Sequence, residues 1–386
     1  MAFDLSSLAF IGTLLILPAE QFCIFLIISL TVNLEFGYAG IPNFGKVLFV
    51  SMGAYFSASF SYRLMVYILS LKGDIFAYQN VFITSIDNHF VADPLTGVGV
   101  AVFMIVVGAA MGGVFGFLAS YPAIRLREDY LGMLLLAAGE FFNYFAQAYY
   151  PFLGGALGMT SPDPIYFLGT IVQQPDIIVL TVLGVFAVLV YVYAERVGRS
   201  PLGRTLRAMR DNEVASEALG KNNVALRRNV LIVSSALAGI AGVLWLFFTP
   251  YFEPGTIGTF TRQTFTFIPF VIVILGGAAN NRGVLLGTFV YLLIFNGFAQ
   301  GTTYFINQGI NLFGPIDPTR VESLLIGVLL LVILLRRPTG LIPEKPTLTM
   351  AKASLKRIAD WVKGGGKQGS AGESKGQAAD EQKKTE

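Results

Sequence analysis

Three groupings in this chain carry residue types at a spacing that could do chemistry. The first is a pair of carboxylates. Glu140 lies well inside the apolar run that begins at Leu131, and Glu35 stands in the polar, glycine-rich stretch Asn33–Tyr55. An unpaired carboxylate at membrane depth costs several kcal/mol, so each needs a partner or a task. Glu140 could tie helices together by hydrogen bonds, line a polar pathway, or relay protons. The relay is the weakest option, because no second buried acid or histidine is evident near it in sequence. The second grouping is Gly40–Lys46, which fits the phosphate-cradling pattern G-x-x-x-x-G-K. Val47 stands where the magnesium-binding Ser or Thr belongs, and apolar runs surround it, so nucleotide binding is not expected there. The third is His89 between Asp87 and Asp93. One imidazole with two scattered acids reads as an outer loop before it reads as a metal site.

The chain offers little else to an enzyme. It has one His and one Cys. That removes a disulfide framework, a cysteine-based zinc site and the usual acid/base residue. No cofactor, metal or nucleic-acid partner is expected.

Composition supplies the frame around these residues. Of 386 residues, 54% are hydrophobic and 13% are charged, about half the charged share of a soluble domain, with a mean hydropathy of +0.65. An all-α polytopic membrane protein follows. The N-terminal run lacks the basic region and small-residue cleavage site of a signal peptide, and is expected to stay as a first membrane segment. The polar stretch after Thr31 breaks a span at membrane depth, which is tolerated only where protein or a water cavity surrounds it. Asn33, Tyr38 and Asn43 thereby join Glu140 as candidates for lining a pathway. A zwitterion passing there would want amide donors or a helix terminus for its carboxylate, and the broken stretch could provide them.

Basic residues then set the sides. Arg125 and Arg127, the cluster between Glu195 and Arg228, Arg282, and Arg336 with Arg337 close successive apolar runs. Such loops lie on the cytoplasmic side. Counting runs gives about ten transmembrane helices with both termini inside. The segment 72–96 and the Gly- and Pro-rich Pro151–Pro175 are expected as outer loops. Gln300 to Arg320 also lies outside, and Val321 to Leu335 returns.

Two sets of small residues at every fourth position, Gly108, Gly112 and Gly116, then Ser234, Ala238 and Gly242, are expected to be helix-packing seams. Residues 1–343 form the membrane domain, and 344–386 a polar cytoplasmic tail expected to be disordered. Within the tail, Ala351–Lys363 can form a short amphipathic helix on the anionic inner leaflet.

The loop 195–228 has internal order. Ser200-Pro201 starts one helix, and Asp211 or Asn212 caps a second that Gly220 ends. On the second, Val214 pairs with Ala218 and Ala215 with Leu219, while Glu213 and Glu217 share another side. This could be a ridge for a partner's groove or a solvated connector.

SPLGRTLRAMRDNEVASEALGKN in this loop resembles the coupling loop of permease subunits of ATP-binding cassette importers, specifically the branched-chain amino acid permease family of LivM and LivH type. Further resemblance lies in Asn33–Tyr55, in PAIRLREDYLGMLLLAAGE, in RDNEVASEALG through SSALAGIAGVL, and in the closing GG…RG and RRPTGLIP. It implies a type II ABC importer permease fold in the cell (plasma or inner) membrane. It also implies ABC ATPase subunits, a second permease subunit in a heterodimer, and an extracytoplasmic substrate-binding protein. Asp211, Glu213, Ala215, Glu217, Ala218 and Gly220 would then couple to the ATPase. Branched-chain or other apolar amino acids are the implied substrates. The alternatives are a urea or short-amide permease of the same class, or a stand-alone secondary transporter.

Overall fold

The computed structural model describes residues 5–126, 128–167, 175–255 and 257–307, with 327–328, 331–332, 335–337 and 339–344. The expected tail and its amphipathic helix, most of 300–320 and most of the returning span 321–335 lie outside the described residues.

The fold is mostly helical. Helix α1 (Leu5–Val32) runs through Pro18 and passes into a π-helical turn, Asn33–Tyr38. After the short connection 39–45 come α2 (Lys46–Ile68), α3 (Gln79–Ala92), α4 (Pro94–Arg125) and α5 (Glu128–Ala148). Then follow α6 (Pro175–Arg199), α7 (Pro201–Asp211), α8 (Glu213–Ala218) and α9 (Asn223–Phe248). A second π-turn, Gln263–Phe267, leads into α10 (Ile268–Gly276), and α11 is Asn281–Asn307. Met159–Thr160 and Tyr251–Phe252 form a two-residue antiparallel pair.

Four described helical stretches are long and apolar enough to cross a bilayer: Ile16–Tyr38, Pro94–Arg125, Asp176–Arg199 and Asn223–Phe248. The pair Gln263–Gly276 and Asn281–Ile294, bent by 117°, makes a fifth if counted as one broken span. The chain is a multi-pass membrane protein.

The packed centre is α2, α4 and α9, held close by the absence of side chains. A Cβ on Gly112 would collide with the Ser235 carbonyl and meet the Gly239 Cα at 3.1 Å, and one on Gly116 would meet the Ser235 Cβ at 2.6 Å. Gly53 of α2 abuts Gly239 from the other side. The partner of the Gly108–Gly112–Gly116 stripe is therefore the Ser235–Gly239 row. The neighbouring face, Ser234–Ala238–Gly242, turns toward α2 and the first π-turn: Gly242 packs on the Val50 carbonyl, and Ser234 reaches Glu35.

The region 72–96 departs from the expected loop. Phe82, Ile83, Ile86 and Phe90 recur at helical spacing and are all buried, which drives α3 to form and dock. Asp93 caps α4 by accepting the Leu95 N–H at 3.3 Å, and Asp87 accepts the Asp163 N–H at 3.3 Å. Both acids are committed to backbone, with His89 in the last turn of α3. Among the described residues no three His, Cys, Asp or Glu side chains are placed to hold a metal ion.

Candidate functional site

The polar residues of the bundle converge where α1 ends. In the π-turn the Asn33 side chain leaves the helix direction and spans to the α10–α11 bend. Its Oδ1 accepts the Ala279 N–H at 2.8 Å, and its Nδ2 donates to Asn281 Oδ1 at 2.9 Å. Ala279 sits at φ 59°, so this bond holds an otherwise disfavoured backbone. Gly37 admits the approach, since a Cβ there would meet the Ala279 nitrogen at 2.5 Å. A side chain of the first interruption thus satisfies a backbone N–H of the second, as the bilayer requires of interrupted spans.

Two residues on in the same π-turn, Glu35 is 1% exposed and pairs with Lys46, 0% exposed, at 2.9 Å. Asn43 Nδ2 donates to the second carboxylate oxygen at 3.0 Å, and the Ser234 hydroxyl meets the first. Asn43 Oδ1 accepts the Gly45 N–H at 3.1 Å, and the Thr266 hydroxyl accepts the free Val47 N–H at 2.9 Å, closing the N-terminus of α2. The lysine of the Gly40–Lys46 pattern is therefore consumed by a buried ion pair. Sequence reasoning marked Glu35 but gave Lys46 no structural role. The available signal was the pairing of two charges eleven residues apart across a break in otherwise apolar sequence.

Tyr38 is buried beneath the Arg207 guanidinium, whose carbon lies 5.1 Å from the ring centroid. Glu140 is not part of this network. It ion-pairs with Arg262 at 3.5 Å from within α5. The same region holds Asn143, which accepts from Tyr55 at 3.1 Å and donates to the Phe260 carbonyl at 2.9 Å. Asn33, Tyr38 and Asn43 are brought together around the break, and Glu140 is placed apart from them.

The loop 195–228 folds onto the same end. Ser200 accepts the Gly203 N–H at 3.3 Å to open α7, and Asn212 accepts the Ala215 N–H at 2.9 Å to open α8. Gly220, at φ 77°, ends α8, with the Lys221 N–H returning to the Ser216 carbonyl at 3.2 Å. Helix α8 is fixed from below: Ser216 donates to Asn223 Oδ1, Asn223 donates to the Glu213 carbonyl, and Arg227 pairs with Glu213 at 2.9 Å. Ser216 is its buried residue. Val214, Ala215, Glu217, Ala218 and Leu219 face outward uncovered, Val214 at 76% and Leu219 at 79% exposure. Asp211 is exposed and pairs with Arg210 at 3.0 Å. A cavity of about 510 Å³ lies beside Glu213 and Arg227, bounded by Gly40–Pro42 and the end of α4.

Helix α8 is thus anchored at its base by α9 and leaves an apolar ridge exposed. The family model for the branched-chain amino acid transport system permease component matches residues 15–334. The chain belongs to this permease family. It is 36% identical over 328 residues to a probable branched-chain amino acid transport permease protein LivM of Methanocaldococcus jannaschii, covering 85% of this chain and 93% of that one. High-affinity LivM permeases of Salmonella typhimurium and Escherichia coli are 25% and 24% identical, over 88% and 86% of this chain and 72% and 71% of theirs. No solved structure matches it. As a branched-chain amino acid ABC transporter permease, it is a transport component and not an enzyme.

Proposed function

We propose that this permease is the membrane path of an ATP-driven importer for branched-chain or other apolar amino acids, and that α8 is where a separate ATPase subunit grips it. The observation that carries this reading is the state of α8: pinned by Asn223 and Arg227, its ridge of Val214, Ala215, Ala218 and Leu219 unpaired. A docking helix must transmit force, so its base must be stiff and its outer face open. Glu213 and Asn223 link α8 to α9, and Ser234 of α9 touches Glu35 at the break. Movement imposed on α8 reaches the interrupted span through one rigid helix.

The arginine-rich end of the bundle is the cytoplasmic side by the positive-inside rule. The same rule supports about ten crossings with both termini inside. A second permease subunit, paired ATPase subunits and an extracytoplasmic binding protein complete the assembly in the cell membrane. Asn33, Tyr38 and Asn43 are closed against their neighbours in this state. They border the substrate path when the break opens, with Glu140 nearer the other side. The experiment is uptake into proteoliposomes of the assembled complex with ATP enclosed on the α8 side. Leucine should enter only with ATP and compete with isoleucine and valine but not urea. Uptake indifferent to ATP would overturn the proposal.

A further inference from the structure

The last described residues, 339–344, are stitched onto the α10–α11 bend. The Leu341 and Ile342 N–H groups donate to the carbonyls of Leu275 and Gly276 at 2.9 and 3.0 Å. Asn280 Nδ2 lies 3.2 and 3.1 Å from the carbonyl oxygens of Ile342 and Pro343. This delivers Glu344 to α7. One carboxylate oxygen ion-pairs with Arg207 Nε at 3.1 Å, and the other accepts from Arg210 Nη2 at 3.0 Å. The same two arginines reach the π-turn: Arg210 Nη1 donates to the Gly37 carbonyl at 2.6 Å, and Arg207 covers Tyr38. Glu195 closes the circuit by accepting from Asn281 at 3.2 Å.

We propose that Glu344 is a positioning residue for coupling, a clasp that makes α7, the π-turn and the α10–α11 bend move as one body when α8 is driven. The inference rests on the reading of α8 as the ATPase contact. Its physical basis is that the guanidinium of Arg210 divides its donors between the Gly37 carbonyl, the exposed Asp211 and Glu344. Without the carboxylate, Arg210 keeps Gly37 and Asp211 and Arg207 keeps the Gly198 carbonyl, but neither retains a charged link to the segment 339–344 that is bonded to the α10–α11 bend. The three side chains are only partly buried, Glu344 at 27% exposure, Arg210 at 25% and Arg207 at 14%. The clasp is therefore open to screening by salt.

The test uses the full complex in proteoliposomes, with uptake and ATP hydrolysis measured together for the unmodified chain, Glu344→Gln and Glu344→Asp. In Glu344→Gln the ATPase subunits stay bound and ATP hydrolysis persists, while substrate carried per ATP falls by about fivefold, the lower end of typical coupling between sites. Glu344→Asp recovers part of that ratio. Raising salt lowers the ratio in the unmodified complex and leaves Glu344→Gln unmoved. An unchanged ratio in Glu344→Gln overturns the clasp. So does loss of the ATPase subunits from that variant, which would make Glu344 an assembly contact. Failure of the α8 reading is distinguishable, because it would show as ATPase subunits retained on Ala218→Trp and Glu217→Lys chains, whatever Glu344→Gln does to the ratio.

Discussion

Lys46 Nζ lies 2.9 Å from Glu35 Oε1, and neither side chain reaches the surface. The pair joins the first π-turn to the start of α2, and Asn43 and Ser234 satisfy the remaining carboxylate valences. Removing one member of such a buried pair strands the other. Lys46→Met is expected to destabilise the folded chain by about 3–5 kcal/mol. The double variant Lys46→Met with Glu35→Gln should recover most of the loss. Thermal unfolding midpoints in a single detergent measure both, and equal midpoints for the single and double variants would remove the pair from its assigned role.

Asn43 serves the same carboxylate while holding the Gly45 N–H. Asn43→Leu should keep the chain in the membrane with its partners but cut uptake sharply, since it removes both the amide donor to the Glu35 carboxylate and the acceptor of the Gly45 N–H. Uptake at the original rate would place the pathway elsewhere.

The contact between α4 and α9 tolerates no side chain. Gly112→Leu must part the two helices or displace Ser235 and Gly239, and overpacking of this kind costs about 1–3 kcal/mol or more. Gly99, with nothing within 4 Å of a Cβ, is the control on the same helix. Gly99→Leu should melt close to the unmodified protein and Gly112→Leu well below it.

Asp87 on α3 gives the fold a pH dependence. Burial pushes its carboxyl from 3.8 up to about 7, with the Asp163 charge adding to the rise and the Asp163 N–H opposing it. A group whose folded pKa lies above its unfolded value binds its proton more tightly when folded. Its contribution is fully present below about 4 and fades as pH climbs through about 7. The melting midpoint should fall between pH 5 and 8, and Asp87→Asn should flatten that slope. A slope unchanged in Asp87→Asn would assign the dependence to another group.

Much of this was legible because local chemistry dictates it. Ser200, Asn212 and Gly220 announce helix ends by side-chain acceptors and a left-handed backbone, and the structure uses each of them so. The break after α1 was legible from polar residues in an apolar run. What it meets was not: Asn33 bonds residues 246 and 248 positions away, and nothing local marks Ala279 or Asn281 as its partners. The seam was half legible. Period four identifies the Gly108 stripe, but two adjacent small-residue rows on α9 compete for it, and geometry selects Ser235–Gly239. Helix α3 was missed because polar residues interleave its four buried apolar ones and pull the average of the segment down. Glu140 found a partner on a connection far along the chain, Arg262, which spacing alone could not specify.

The central claim is that α8 receives the ATPase, and co-purification tests it most directly. The tagged chain and its Ala218→Trp and Glu217→Lys variants would be drawn from gently solubilised membranes and their companions identified by mass spectrometry. Both side chains are exposed on α8. The account predicts ATPase subunits and a second permease with the unmodified chain, and variants that keep the second permease while losing the ATPase. Equal recovery of ATPase with all three chains, or recovery of this chain alone under conditions that preserve a known importer, would contradict it.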